Sequence, residues 1–209
     1  MRSLWDITPT VSTASAVFPG DTPLSVRWNA RTGEGAAANV STICLTPHLG
    51  AHVDAPLHLE EEAPDVSALN LEVFVGPCRV IDLSDGGKNG PIQPEELSGK
   101  IIGERVLIKT RRTVSHEWTP DFRSLSPEAV RLLMERGVCL IGLDVPSIDE
   151  AISESLPSHR LALMNGISVI ENLDLQAVPA GLYELIALPL RLEGVEASPV
   201  RAVLRTLNR

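Results

Sequence analysis

The sequence predicts one β-rich α/β domain, and three features support that prediction. The chain has 209 residues, which is above the usual size of a single domain but does not require two cores. Hydrophobic residues make up 44% of it and charged residues 22%, a balance typical of a chain that buries a core. Short apolar, β-branched segments separated by glycine and proline are the dominant pattern. We therefore expect a single domain over residues 1–209.

Strands are expected to outnumber helices. The clearest helix is predicted over 127–136, because Ser126 can cap it, Pro127 suits its first position and Gly137 suits a left-handed exit. The helix leads directly into an apolar segment, which indicates a covered sheet. The predicted strands cover residues 5–8, 40–46, 72–83, 105–109, 139–144, 167–171 and 183–190.

A second, shorter helix is expected to begin at Pro157 and to end near 165–166. This prediction places His159 in the first turn of the helix. The glycine-rich residues 86–90 are expected to form an exposed loop.

The charge of the chain argues against two classes of partner. The formal net charge is −9 at pH 7 and the isoelectric point is about 5.0. Nucleic acids and anionic membranes need a basic patch, and Arg111 and Arg112 are too few to form one. We expect a small-molecule substrate, with no nucleic-acid and no membrane partner.

The chain is expected to be cytoplasmic. It has no apolar run near the roughly 20 residues that span a bilayer, and its first residues do not resemble a signal peptide. Cys44, Cys78 and Cys139 are odd in number, lack CxxC spacing and lie in apolar contexts, so we interpret them as buried, reduced thiols.

Three of the five histidines lie within the eleven residues 48–58. All polar members of this segment are at even positions, so His52 and Asp54 share one face wherever the backbone is extended. His48 and His58 can reach the same site only if the chain bends. Bends are possible at Pro47, Gly50 and Pro56.

This segment has the composition of a metal site. Two imidazoles and a carboxylate suit zinc and also accept manganese or iron(II). Three protein ligands leave a position free for water, which indicates a catalytic rather than a structural ion. A lone histidine is more often structural, but such a cluster favours metal binding.

The segment HLGAHVDAPLH resembles the HxGxHxDxPxH signature of the metal-dependent cyclase family, whose best-defined members are bacterial kynurenine formamidases. The resemblance extends over essentially the whole chain. It includes the segments WDITP, FPGDTP, LIGLDVPSID and YELIALPLRLEGVEASPVRAVLR.

The resemblance implies a swivelling β/β/α fold, a homodimer or higher homo-oligomer, and two divalent metal ions per subunit, usually Zn²⁺ with Mn²⁺ as the alternative. It implies that His58 is the catalytic acid/base and that Asp54 bridges the two ions. The implied metal ligands are His48, His52, Asp54, His159 and Glu171.

The residues themselves support one of these assignments independently. Glu171 lies among the apolar Ile167, Val169 and Ile170, where an unpaired carboxylate would be costly and a metal ion is an acceptable partner. His159, considered alone, would be interpreted as a structural histidine at the start of a helix.

The implied activity is hydrolysis of N-formyl-L-kynurenine to L-kynurenine and formate, a step of tryptophan degradation by the kynurenine route. A divalent ion would activate water for attack on the formamide carbonyl, and His58 would protonate the departing aryl amine. The alternatives are another amide or ring-opening hydrolase of the same family, such as one acting like an isatin hydrolase, and a non-catalytic metal- or ligand-binding module. The presence of His58 argues against the second, and the absence of a GxSxG motif disfavours a serine hydrolase.

Two departures from the family pattern affect the substrate more than the chemistry. Phe18 is expected to contact the substrate, at a position where kynurenine formamidases usually have tryptophan. Leu49 and Ala51 replace residues that are commonly small and polar. His116 has no counterpart in the motif, and we expect it at the surface or at the rim of the site.

Overall fold

The computed structural model describes residues 4–85, 90–111 and 117–207. Within these ranges the chain forms eleven strands and three α-helices. The strands are β1 (Leu4–Asp6), β2 (Ser25–Ala30), β3 (Val40–Cys44), β4 (His52–Asp54), β5 (Val75–Asp82), β6 (Arg105–Lys109), β7 (Leu140–Leu143), β8 (Ser168–Glu171), β9 (Gly181–Ile186), β10 (Ala197–Pro199) and β11 (Val203–Thr206). The helices are α1 (Pro94–Leu97), α2 (Pro127–Glu135) and α3 (Pro157–Leu163).

Nine strands form one mixed sheet in the order β1-β11-β9-β5-β6-β7-β8-β4-β10, and β2 and β3 form a separate antiparallel pair. The central strands β5, β6, β7 and β8 are parallel, whereas all flanking pairs are antiparallel. The carboxyl ends of β6, β7 and β8 therefore meet at one edge of the sheet, a common location for ligand sites in α/β folds. Arg111 follows β6, Asp144 follows β7, and Glu171 is the last residue of β8.

The sheet is buried on both faces. Side chains alternate along a strand, so Val106 and Ile108 pack in the cluster that includes α2 and α3, while Leu107 packs in the cluster on the opposite face. The same alternation separates Val169 from Ile170 on β8. This double burial explains why the central strands are almost continuously apolar.

The predicted β-rich α/β architecture is confirmed, and several elements agree in detail. The strand over 105–109 has the predicted bounds, and α2 begins as expected, with the Ser126 side chain accepting a hydrogen bond from the Ala129 amide at 3.1 Å. Gly137 has a φ of 75°, the left-handed exit that its position predicted. The helix α3 begins at Pro157 and ends at Leu163, two residues before the expected end.

Other elements differ from the predictions. The segment 72–83 was expected to be one strand, but Leu71–Phe74 forms a 3-10 helix before β5 begins. The predicted strand 183–190 ends at Ile186. The elements β2, β4, β10, β11 and α1 were not in the predicted set. Residues 86–89 of the predicted loop and His116 lie outside the described residues.

Two further expectations concern the surface. The interpretation of all three cysteines as buried is wrong for Cys44, which is exposed at the end of β3, while Cys78 is buried and Cys139 is half-buried. Among the described residues no helix is both long and apolar enough to cross a lipid bilayer.

Candidate metal centre

The pairing of β4 with β8 places three of the predicted ligands on one face of the sheet. The two strands are antiparallel, with His52 opposite Glu171 and Asp54 opposite Val169. Directly opposed residues share a face, and so do residues two apart on one strand. His52, Asp54 and Glu171 therefore point to the same side; the even spacing of the histidine segment predicted this for His52 and Asp54. The Nε2 atom of His52 lies 3.4 Å from Glu171 Oε2 and 3.6 Å from Asp54 Oδ1.

His159 approaches this face from the first turn of α3, where the sequence placed it. Its Nε2 atom lies 2.9 Å from Glu171 Oε1 and 3.5 Å from Asp54 Oδ2. Asp149 fixes the start of the helix, because its carboxylate accepts hydrogen bonds from the backbone amides of Ser158 and His159, each at 2.9 Å. The same carboxylate contacts His159 Nδ1 at 2.8 Å. The helix and the imidazole are thus positioned by one side chain.

His48 reaches the cluster because the chain bends before β4. Gly50 has a φ of 73°, and a Cβ atom at this position would lie 2.5 Å from the side chain of Val11, so the turn requires glycine. With this bend, His48 Nδ1 lies 3.2 Å from Asp54 Oδ1. Pro47 and Pro56 were proposed as additional bends, and Pro56 begins a 3-10 helix that follows the strand.

The five predicted ligands form two overlapping groups. His48, His52 and Asp54 make up one, and Asp54, His159 and Glu171 the other, and in each group one ligand atom per residue lies within 4.8 Å of the others. Asp54 is common to both, which is the arrangement that a bridging carboxylate would have. The structure therefore brings together every residue that the sequence marked as a ligand.

The donor set fits divalent metal ions. His52 Nε2 and both carboxylate oxygens of Asp54 are buried, yet they make no hydrogen bond of good geometry. Buried polar atoms without partners are rare and costly, and bound ions would satisfy all three. Imidazole nitrogen and carboxylate oxygen are common zinc ligands.

Each of the three candidate ligand histidines also has an oxygen acceptor near its second ring nitrogen. Such contacts orient the ring and fix its tautomer in metal sites. The acceptors are Gly50 O at 2.9 Å from His52 Nδ1, Asp149 Oδ2 at 2.8 Å from His159 Nδ1, and Glu196 Oε1 at 3.2 Å from His48 Nε2.

The charges of the cluster stabilise one another. Burial alone would raise the pKa of Asp54, but the charge of His52 and the close contacts with His159 and His48 hold it well below its usual range. Burial alone would lower the pKa of His48, but the contact with Asp54 and nearby carboxylates raise it to about 9. The Asp54 carboxylate is therefore in the anionic form that metal binding requires.

His58 lies beside the cluster but is not part of either ligand group of the described residues. It ends the 3-10 helix Pro56–His58, and its ring centroid lies 4.7 Å from that of His48 and 5.8 Å from that of His159. Burial lowers its pKa; the charge of Asp54 opposes this shift, and His48 and His159 reinforce it. The predicted bend that lets His48 and His58 meet is confirmed.

A cavity of about 500 Å³ opens onto the cluster and is lined by His48, His58, His159 and Glu171. Phe18, which is expected to contact the substrate, also lines this cavity and is 40% exposed. Its ring packs edge-to-face against Trp118, with centroids 4.7 Å apart and planes at 67°. The sequence analysis did not identify Trp118 as a cavity residue. The chain has only seven aromatic residues, and this scarcity could have made each of them a candidate for the cavity wall.

The mixed sheet and its buried histidine–carboxylate cluster define the class of a metal-dependent hydrolase. The sequence pattern of the family described as "Putative cyclase" matches residues 5–150, and the chain belongs to this family. It is 50% identical to the kynurenine formamidase of Bordetella petrii, over 100% of both chains.

Two solved structures extend the comparison. A potential metal-dependent hydrolase with cyclase activity superposes with a TM-score of 0.86 and 27% identity, covering 100% of both chains. An isatin hydrolase A from Labrenzia aggregata, bound to benzyl benzoate, superposes with a TM-score of 0.82 and 24% identity, covering 99% of this chain and 94% of the other. The second comparison shows a shared fold.

Proposed function

We propose that this chain is an arylformamidase that hydrolyses N-formyl-L-kynurenine to L-kynurenine and formate. The observation that carries the proposal is the complete cluster of ligand residues with His58 beside it, in a chain half identical over its full length to a kynurenine formamidase. A module without turnover would not need an unligated imidazole next to the ligands, facing a cavity.

The two ligand groups would hold two divalent ions per subunit, expected to be Zn²⁺ with Mn²⁺ as the alternative. His48 and His52 would bind one ion, His159 and Glu171 the other, and Asp54 would bridge them. When bound, the ions would lower the pKa of a water molecule and polarise the formyl carbonyl, which is the chemistry that amide hydrolysis at neutral pH needs.

His58 would move the proton in this reaction. Water adds to the formyl carbon, the carbon–nitrogen bond breaks, and the leaving nitrogen must gain a proton to depart as an aryl amine. His58 lines the cavity within ring contact of both His48 and His159, so its imidazole can accept the proton that the water loses and deliver it to that nitrogen.

The aromatic pair at the other side of the cavity supports an aryl substrate. Phe18 and Trp118 present two ring surfaces to the same space as the ligand cluster. Aromatic pairs contribute about 0.5 to 1.5 kcal/mol beyond the burial of area. A ring-opening activity like that of isatin hydrolases is the second candidate, since such an enzyme shares this fold.

The test is a substrate panel with metal analysis. The purified chain would be assayed with N-formyl-L-kynurenine, formanilide and isatin, with and without a chelator, and its metals counted by mass spectrometry. We expect the highest kcat/KM for N-formyl-L-kynurenine, two ions per chain and loss of activity with the chelator. Faster turnover of isatin would favour the second candidate, and full activity without metal would refute the proposal.

Three further expectations from the sequence stay predictions: one functional domain over 1–209, a homodimer or higher homo-oligomer, and a cytoplasmic location. The charge of −9 remains consistent with a small-molecule substrate rather than a nucleic acid.

A further inference from the structure

The wall of the cavity contains an unusual cation. Five carboxylate residues line the cavity, whereas Arg111 is the sole lysine or arginine among the described lining residues. Arg111 follows β6, at the same edge of the sheet where β8 presents Glu171. A single guanidinium in an acidic cavity suggests a role in recognising a negatively charged group. The five acidic residues are Asp21, Glu117, Asp144, Glu171 and Glu196.

The backbone that carries Arg111 is held in place by the buried Asp144. Its carboxylate accepts hydrogen bonds from the Thr110 amide at 2.9 and 3.0 Å, from Thr110 Oγ1 at 2.7 Å and from the Arg111 amide at 3.0 Å. These bonds direct the Asp144 carboxylate toward the main chain. Asp144 therefore positions the residue without neutralising its guanidinium through an ion pair.

The guanidinium has no ion-pair partner among the residues that the structure describes. In residues 4–85, 90–111 and 117–207, no carboxylate lies within the 4.0 Å of an ion pair from it. Its Nη2 atom is buried and makes no hydrogen bond to the described part of the chain. Leaving a buried charged donor unsatisfied is costly, and a ligand carboxylate would satisfy it with the bidentate geometry that arginine favours.

The spacing is suitable for the proposed substrate. One strand, β7, separates β6 from β8, so the two strand ends are about 10 Å apart. N-formyl-L-kynurenine has its formamide at one end of the molecule and its α-carboxylate at the other, with the aryl ketone between them. An extended Arg111 side chain could place its guanidinium between the end of β6 and the ligand cluster at the end of β8.

We propose that Arg111 binds the α-carboxylate of the substrate, and so selects amino-acid formamides over simple aryl formamides. This inference rests on the proposed function and adds a specificity-determining residue to it. Asp144 is a positioning residue for Arg111.

The test compares two substrates that differ in the amino-acid end. N-formyl-L-kynurenine has the carboxylate, whereas N-formyl-2-aminoacetophenone retains the ring, ketone and formamide but lacks it. Arg111→Ala should lower kcat/KM for N-formyl-L-kynurenine by roughly 10- to 150-fold, which is the loss expected when hydrogen bonds to a charged group are removed. For N-formyl-2-aminoacetophenone, kcat/KM should stay within about twofold of the wild-type value. Arg111→Lys should recover part of the loss. Arg131→Ala, which removes an exposed arginine of α2, is the matched control and should change neither substrate.

A binding measurement separates this inference from the proposed function. Calorimetry with L-kynurenine and with its decarboxylated amine should show tighter binding of L-kynurenine to the wild-type chain, and Arg111→Ala should abolish that preference. Binding with the expected preference but without turnover of N-formyl-L-kynurenine would refute the proposed function alone. Equal losses for both formamides, an unchanged Arg111→Ala variant, or no binding of L-kynurenine would overturn the inference.

Discussion

Replacing Asp149 with asparagine is expected to weaken one metal position and spare the other. The Asp149 carboxylate accepts three hydrogen bonds, at 2.9 Å from the Ser158 amide, at 2.9 Å from the His159 amide and at 2.8 Å from His159 Nδ1. Asparagine has one oxygen, so its amide nitrogen would face the donors on His159. His159 would lose the acceptor that fixes its ring.

The magnitude follows from the role of such acceptors. Loss of the partner that orients a ligand histidine typically lowers metal affinity by about 10- to 100-fold, which corresponds to about 1.4 to 2.7 kcal/mol. The effect should be confined to the group of Asp54, His159 and Glu171, because His48 and His52 have acceptors of their own in Glu196 and Gly50.

The assay is a titration of metal-free Asp149→Asn with Zn²⁺ in a metal buffer, followed by mass spectrometric counting of bound ions. We expect one ion to retain wild-type affinity and the second to bind 10- to 100-fold more weakly. Asp82→Asn is the matched control, because Asp82 also accepts a backbone amide, that of Ser84 at 2.9 Å, but is not among the residues lining the cavity. Wild-type affinity for both ions in Asp149→Asn would refute the assignment of Asp149 as a positioning residue.

Three other variants and one labelling reaction test the site and the core. Asp54→Asn should lose both ions, since Asp54 belongs to both ligand groups, and full metal content would remove it from the centre. His58→Ala should keep its metals while turnover falls by roughly 10² to 10⁴, and a parallel loss of metal would instead make His58 a ligand. Phe18→Leu should lower kcat/KM for an aryl formamide by roughly 2- to 13-fold and affect an aliphatic formamide much less; equal losses would indicate a packing role. With a thiol reagent at pH 8, the exposed Cys44 should react and Cys78 should not, because burial raises the pKa of the Cys78 thiol to about 12; labelling of Cys78 without denaturant would contradict that burial.

Burial explains which strands the sequence predicted. All of β6 is buried, and the apolar Val106, Leu107 and Ile108 at its centre located the strand in the sequence. In contrast, β2 is almost fully exposed and contains arginine and asparagine, so it lacked an apolar signal. The short strand β4 also lacked an apolar signal, since two of its three residues are the polar His52 and Asp54.

The ligand residues were predictable to different degrees. His48, His52, Asp54 and His58 are close in sequence, and a period of two in an extended chain places alternate members on one face. His159 and Glu171 come from α3 and β8, so only the resemblance to a family assigned them a role. The apolar neighbours of Glu171 indicated that it needed a partner, but not which partner.

Strand order explains why Arg111, Asp144 and Asp149 were not predicted. Each is a single polar residue after or near an apolar segment, and on its own such a residue is most simply interpreted as part of a surface loop. Once β6, β7 and β8 are known to be adjacent and parallel, the residues that follow them must converge at one edge, next to Glu171. The two adjacent arginines were first judged too few for a nucleic-acid surface. Among the described residues that line the cavity, however, Arg111 is the one guanidinium beside five carboxylates, and we expect it to discriminate substrates by charge.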